Sequence, residues 1–205
     1  MRTRENARDQ EEAGGYQWRL IRRLVHGSLS FGALYYLLPE PLPLVELPKW
    51  LILIAAVTIV VLIETWRLAR RKLLPGMRPY EIGRIASYAY AVLGVAAVLI
   101  IAPLEVGIPC IIAMAWADPV AGEIRLASGS VPVTALVTGL FYASFSLLVL
   151  RLLDVEYIDS LILVAVTAPI AVISESVDFG GLDDDFTMLF FPSLGGTLAW
   201  LLLMG

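Results

Sequence analysis

"WLILIAAVTIVVLIETWRL", Trp50 to Leu68, is apolar from its first residue until Glu64 and closes on Arg67 one turn later. A bilayer core of about 30 Å is crossed by roughly twenty apolar helical residues, so this stretch predicts a membrane-spanning helix. Six more stretches follow the same pattern: Ser28–Leu38, Ile85–Ala102, Val106–Ala117, Val131–Leu150, Tyr157–Ile173 and Phe186–Met204. The first is short and ends at "PEPLP", and the Val106 segment is short too, ending where "ADP" begins. The expectation is an all-α, polytopic transmembrane helical bundle of about seven spans.

Composition agrees. The 205 residues are 59% hydrophobic and 17% charged, with mean hydropathy +0.78, where soluble domains run closer to a quarter charged. The longest polar stretches are the first twenty residues and the Arg67–Arg84 loop, which leaves no soluble domain. The division expected is a polar N-terminal segment with an amphipathic end (residues 1–23) and a single integral-membrane helical domain (residues 24–205). The polar lead has neither a short basic start nor a small-residue cleavage site, so it is expected to stay attached. There is no internal repeat. The lone cysteine, Cys110, sits in the apolar run "GIPCIIAMAWA" and reads as a buried, inert thiol.

Lysine and arginine in short loops mark the cytoplasmic side. Alternating seven spans places thirteen of the fifteen cations on one side, leaving Lys49 and Arg151 on the other. This predicts a cytoplasmic N-terminus. It also gathers Arg22, Arg23, His26, Glu64, Glu81, Asp118, Glu175 and the run Asp183–Asp185 near the cytoplasmic face.

Four polar patches carry candidate chemistry. In "QWRLIRRLVHGSLS", Arg19, Arg22, Arg23 and His26 are spaced so that a helix stacks all four on one face. Such a stripe either meets anionic headgroups as an interfacial helix or enters the bundle to hold phosphates, which the arginine fork suits. Glu64 with Arg67, and Glu81 with Arg84, read as ion pairs at helix ends. Glu64 lies deeper, where a carboxylate costs roughly 2.5–3.5 kcal/mol on insertion scales and must find a partner or a cavity. In "AMAWADPVAGE", Asp118 precedes Pro119 and reads as the N-cap of a restarted helix. Last, "SESVDFGGLDDDFTMLFFP" (Ser174 to Pro192) sets Glu175, Asp178 and three consecutive aspartates before the final span. Helix capping accounts for one of those aspartates. A bound Mg2+, which favours a few carboxylates plus substrate phosphates, accounts for the cluster.

In their order along the chain these patches resemble the CTP-dependent lipid-alcohol kinases: dolichol kinase, phytol kinase and the CTP-using diacylglycerol kinase. The family's Arg-(Lys/Arg)-x-x-His is matched by Arg22, Arg23 and His26, and its Glu-x-x-Arg by Glu64 and Arg67. Its Gly-Asp-x-x-Ala appears as Ala117, Asp118 and Ala121. Its closing Glu and Asp-Asp-Asn-(Leu/Phe)-Thr appear as Glu175 and "DDDFT", with Asp185 in place of Asn. The match runs from Arg22 to Pro192. The family's Lys-(Ser/Thr)-x-x-Gly loop has no counterpart in "GEIRLASGSVPVTALVTG", where Arg125 is the one basic residue.

The resemblance implies transfer of the γ-phosphate of CTP to a polyprenol-like or diacylglycerol-like lipid alcohol with Mg2+. It assigns catalytic work to Asp118, Glu175, Asp183 and Asp184, with metal on Asp118, Asp183 and Asp184. Nucleotide phosphates fall to Arg22, Arg23, His26 and Arg125, and Glu64, Arg67 and Asp185 support. The partners implied are a membrane lipid and a nucleotide, and no nucleic acid. A CTP-using lipid cytidylyltransferase and a non-catalytic relative or transporter stay open as alternatives.

Overall fold

The computed structural model describes residues 15–43, 46–177 and 179–204. The polar lead before residue 15 and Asp178 lie outside them. The described residues form seven α-helices and two short 3₁₀ helices, with no strand among them. In order these are α1 (Gly15–Ser28), η1 (Leu29–Leu37), α2 (Trp50–Arg70), η2 (Pro79–Gly83), α3 (Ser87–Ile101), α4 (Leu104–Ser128), α5 (Val131–Leu152), α6 (Tyr157–Ser176) and α7 (Asp184–Met204).

Five helices, α2, α4, α5, α6 and α7, are long and apolar enough to cross a membrane. The described residues are therefore all-helical, with the long apolar helices that suit a membrane protein. Two of the seven predicted spans take a different form. Ser28–Leu38 is the nine-residue η1, continuing directly from α1, and at about 2.0 Å per residue it covers only about 18 Å. Ile85–Ala102 becomes the fifteen-residue α3, about 22 Å at 1.5 Å per residue.

The expected restart at Asp118 does not occur. Val106–Ala117 is part of one continuous 25-residue helix, α4, with Pro109 and Pro119 both inside it. A proline in a helix frees the carbonyl four residues back, but inside a bundle neighbouring groups re-satisfy it. α4 is in that position, because its buried residues run from Val106 to Ala121. Asp118 is consequently a mid-helix side chain and not a cap.

The core is built around α4 by small residues that let backbones approach. Val98, Ile111, Met114, Tyr142, Leu163 and Leu189 fill it, and the free thiol of Cys110 is buried among them. Gly107 has a specific use: a Cβ there would sit on the Tyr36 hydroxyl. That hydroxyl donates to the carbonyls of Ala102 at 2.9 Å and Val98 at 3.2 Å, pinning η1 against α3.

Helix α2 is packed differently. Its only buried residues are the two charged ones, Glu64 and Arg67. The helix is attached to the bundle by its polar end, while its apolar body faces outward.

Candidate functional site

The charged patches meet at one end of the bundle. A cleft of about 50 Å³ is lined by Arg19, Arg22, Arg23 and His26 from α1, Asp118 and Arg125 from α4, and Asp184 from α7. The i, i+3, i+4, i+7 stripe of α1 thus faces a single opening, as the spacing predicts.

His26 is 5% exposed and stands between two carboxylates. Its Nδ1 lies 3.4 Å from Asp118 Oδ2 and its Nε2 lies 3.8 Å from Asp185 Oδ2. Nδ1 makes no hydrogen bond. Asp183 receives the backbone N–H of Asp185 on its side chain at 3.2 Å, so one aspartate does cap α7. The other two are not needed for that purpose. Burial, with the adjacent Asp184 charge, pushes the Asp183 carboxyl up to about 7.

Two sets of side chains are spaced to share a cation. His26, Asp118 and Asp185 bring ligand atoms within 4.8 Å of one another, and so do Asp183, Asp184 and Asp185. Asp185 belongs to both sets and is only 3% exposed. The residue that departs from the kinase pattern is therefore the buried vertex of the cluster. The donors are mostly carboxylate oxygens, as Mg2+ prefers, with His26 the one nitrogen among them. The residues present fit a hard divalent cation.

The cations are held in different ways. Arg23 pairs with Glu123, and Arg125 with Glu175. Glu175 thus reaches the site through Arg125, and its second oxygen is buried without a hydrogen bond. Arg22 Nε donates to the Gly76 carbonyl at 3.0 Å, fastening the α2–α3 loop to α1. Gly76 turns there with φ +89°, a backbone conformation that favours glycine, and a Cβ would also come within 3.2 Å of Ile21.

That loop delivers a residue the sequence does not single out. Arg78 lines the cleft and donates from Nη1 to the Tyr80 hydroxyl at 2.8 Å. Burial opposes its charge, but Tyr80, Asp184 and Asp118 outweigh it and hold the guanidinium pKa above its ordinary value. In the sequence Arg78 is one of six cations in a basic loop. The available signal was Arg78-Pro79 followed by Glu81, proline at a helix start with an acid at the third position.

Glu64 and Arg67 do not line the cleft. Arg67 donates to both oxygens of Glu64, at 2.9 and 2.5 Å, and to the carbonyls of Glu81 and Arg84. Glu64 also accepts from the Ala86 N–H at 2.8 Å and the Tyr88 hydroxyl at 2.7 Å. Glu81 is likewise buried. It accepts from the Arg78 N–H at 2.5 Å and from the Ser87 N–H and hydroxyl at 2.9 and 2.8 Å. This network holds the loop that carries Arg78.

No family model, no curated protein and no solved structure matches this chain. The functional reading therefore rests on the residues and their geometry.

Proposed function

We propose that the protein is a membrane-embedded kinase that transfers the γ-phosphate of CTP to a lipid alcohol, with Mg2+ as cofactor. The observation that carries this reading is the convergence of α1, the α2–α3 loop, α4 and the start of α7, distant in sequence, on one cleft where arginines face carboxylates. Phosphoryl transfer needs this mixture, since it is mainly positioning and charge neutralisation. The motif order that resembles the lipid-alcohol kinases supports the choice of donor and acceptor.

In this reading the arginines bind the phosphates, with Arg22 and Arg23 on α1, Arg78 on the α2–α3 loop and Arg125 on α4. Arg78 takes the place of the absent lysine loop as a fixed cation. Asp118, Asp183 and Asp184 hold the metal with Asp185 at the centre, and the ion supplies charge neutralisation for the phosphates when bound. His26 lies between Asp118 and Asp185 and belongs with them to the group that shares the cation. Glu175 sets the position of Arg125. The finer topology belongs to the same proposal: η1 and α3 count as spans, giving about seven, and the cleft faces the cytoplasm with the N-terminus.

The test is a transfer assay in vesicles with CTP labelled on either the γ- or the α-phosphate. Label passing from the γ position to a long-chain alcohol or to diacylglycerol is the expected result. Passage of α-label identifies a cytidylyltransferase instead. Absence of transfer to every lipid alcohol tried overturns the enzymatic reading.

A further inference from the structure

A second cavity lies within the apolar part of the bundle. It is a groove of about 320 Å³ between η1, α2 and α3, walled by Phe31, Tyr35, Leu53, Ala56, Val92 and Leu99. Its origin is the attachment of α2 described above. The buried Glu64–Arg67 pair fixes the charged end of the helix, and no residue from Trp50 to Ile63 is buried. The apolar body consequently stands off from α3 and η1. In water, hydrophobic collapse would close such a gap; between membrane helices that drive is missing, because lipid tails are as apolar as leucine. Protein interiors pack to crystal-like density, so a gap of this size in the bilayer is filled by hydrocarbon.

The groove begins two residues beyond the cleft along the same segment. Ser28 and Leu29 line its near end, and His26, two residues earlier on α1, lines the cleft. Gly27 lies between them, and a Cβ added there would meet nothing within 4 Å. From Ser28 the groove follows η1 to Leu38, about 18 Å at 2.0 Å per residue. Its volume of about 320 Å³ takes roughly ten water-sized groups of ~30 Å³ each. That is room for one chain, and too little for a helix about 10–12 Å across.

We propose that this groove holds a single hydrocarbon chain of a membrane lipid whose polar head lies in the arginine–aspartate cleft. The identity of that head as an alcohol rests on the kinase reading; the seating of the chain does not.

The full protein in phosphatidylcholine vesicles is photolysed with a long-chain primary alcohol carrying a mid-chain diazirine, and the labelled peptides are mapped by mass spectrometry. Labelling concentrated on Leu53, Ala56, Val92 and Leu99 is expected. Ala56→Trp, or Val92→Trp from the opposite wall, brings groove labelling down to background. Leu202→Trp, at a site 84% exposed on the outer face of α7, leaves it unchanged. Labelling spread evenly over the outer faces of α5 and α7, or unaffected by both groove substitutions, overturns the proposal. So does an Ala56→Cys disulfide dimer that excludes the probe, since the face then belongs to a second copy. Transfer of γ-phosphate from CTP to the same alcohol is measured in parallel. Groove labelling without transfer removes the kinase reading and keeps the groove, and transfer without groove labelling does the reverse.

Discussion

Glu64 and Arg67 are buried as deeply as His26 and Asp185, at 6%, 0%, 5% and 3% exposure, yet the two pairs live in opposite surroundings. Around Arg67 every strong acceptor meets a donor: two carboxylate oxygens, two backbone carbonyls, a backbone N–H and a tyrosine hydroxyl close on one another. Around His26 the balance fails. An imidazole nitrogen has no hydrogen bond, and three consecutive aspartates crowd the start of α7. A closed network of buried charge specifies structure, while an open one leaves capacity for a ligand. The two are joined through the loop, because Arg67 and Glu81 together hold the turn that places Arg78 in the cleft.

Breaking the closed network has the largest expected effect. Arg67→Met leaves Glu64 buried and unpaired, a loss of about 3–5 kcal/mol, read as a lowered unfolding midpoint in detergent. Adding Glu64→Gln recovers most of that loss, since no unpaired charge then remains. A single Arg67→Met that unfolds like the parent protein would show that the network is ornamental.

The open cluster responds in the other direction. Asp118→Asn and Asp184→Asn remove like charge from a crowded site, so the unfolding midpoint holds or rises. Phosphotransfer at saturating Mg2+ falls by about 10²–10³, the loss typical of an electrostatic contact made in the transition state. Full activity in both variants would sink the assignment.

The sequence carries this comparison unevenly. The stripe on α1 is legible because helical spacing alone puts Arg19, Arg22, Arg23 and His26 on one face, and all four line the cleft. Glu64 announces a partner through the cost of burying it. The break at Asp118–Pro119 is not realised, because local proline rules assume a helix end in water, whereas α4 runs through the middle of a bundle. Arg78 stays hidden for a different reason: its position depends on Glu81 and Arg67 closing the loop, contacts between residues three and fourteen positions apart whose geometry no periodicity encodes. Asp185 looks like a departure from a pattern until the fold makes it the shared vertex of two ligand sets.

Arg78 is the bridge between the two regions, and its variants sharpen the contrast. Arg78→Gln keeps the backbone N–H that Glu81 accepts, so the turn itself is retained. The apparent KM for the nucleotide rises about tenfold to a hundredfold, the worth of a hydrogen bond to a charged group. Arg78→Lys restores the charge without the fork and recovers only part of the affinity. An unchanged KM in Arg78→Gln would remove this residue from phosphate binding.

The smallest effect is a dependence on pH at the open cluster. The native Asp183 carboxyl is raised to about 7 from an ordinary value of 3.8, so the folded state favours the protonated form. Its contribution is fully present below the ordinary value and is lost as pH climbs through about 7, after which stability levels off. The amplitude is of order 1 kcal/mol once partial exposure is discounted. Asp183→Asn flattens the unfolding midpoint across that window. Adding Mg2+ at pH 8 raises the midpoint of the parent protein, because a cation bound only by the native cluster stabilises it by mass action. The same addition leaves Asp184→Asn closer to its metal-free value. A midpoint insensitive to Mg2+ in the parent protein would mean that the crowded aspartates are tolerated for some reason other than a metal.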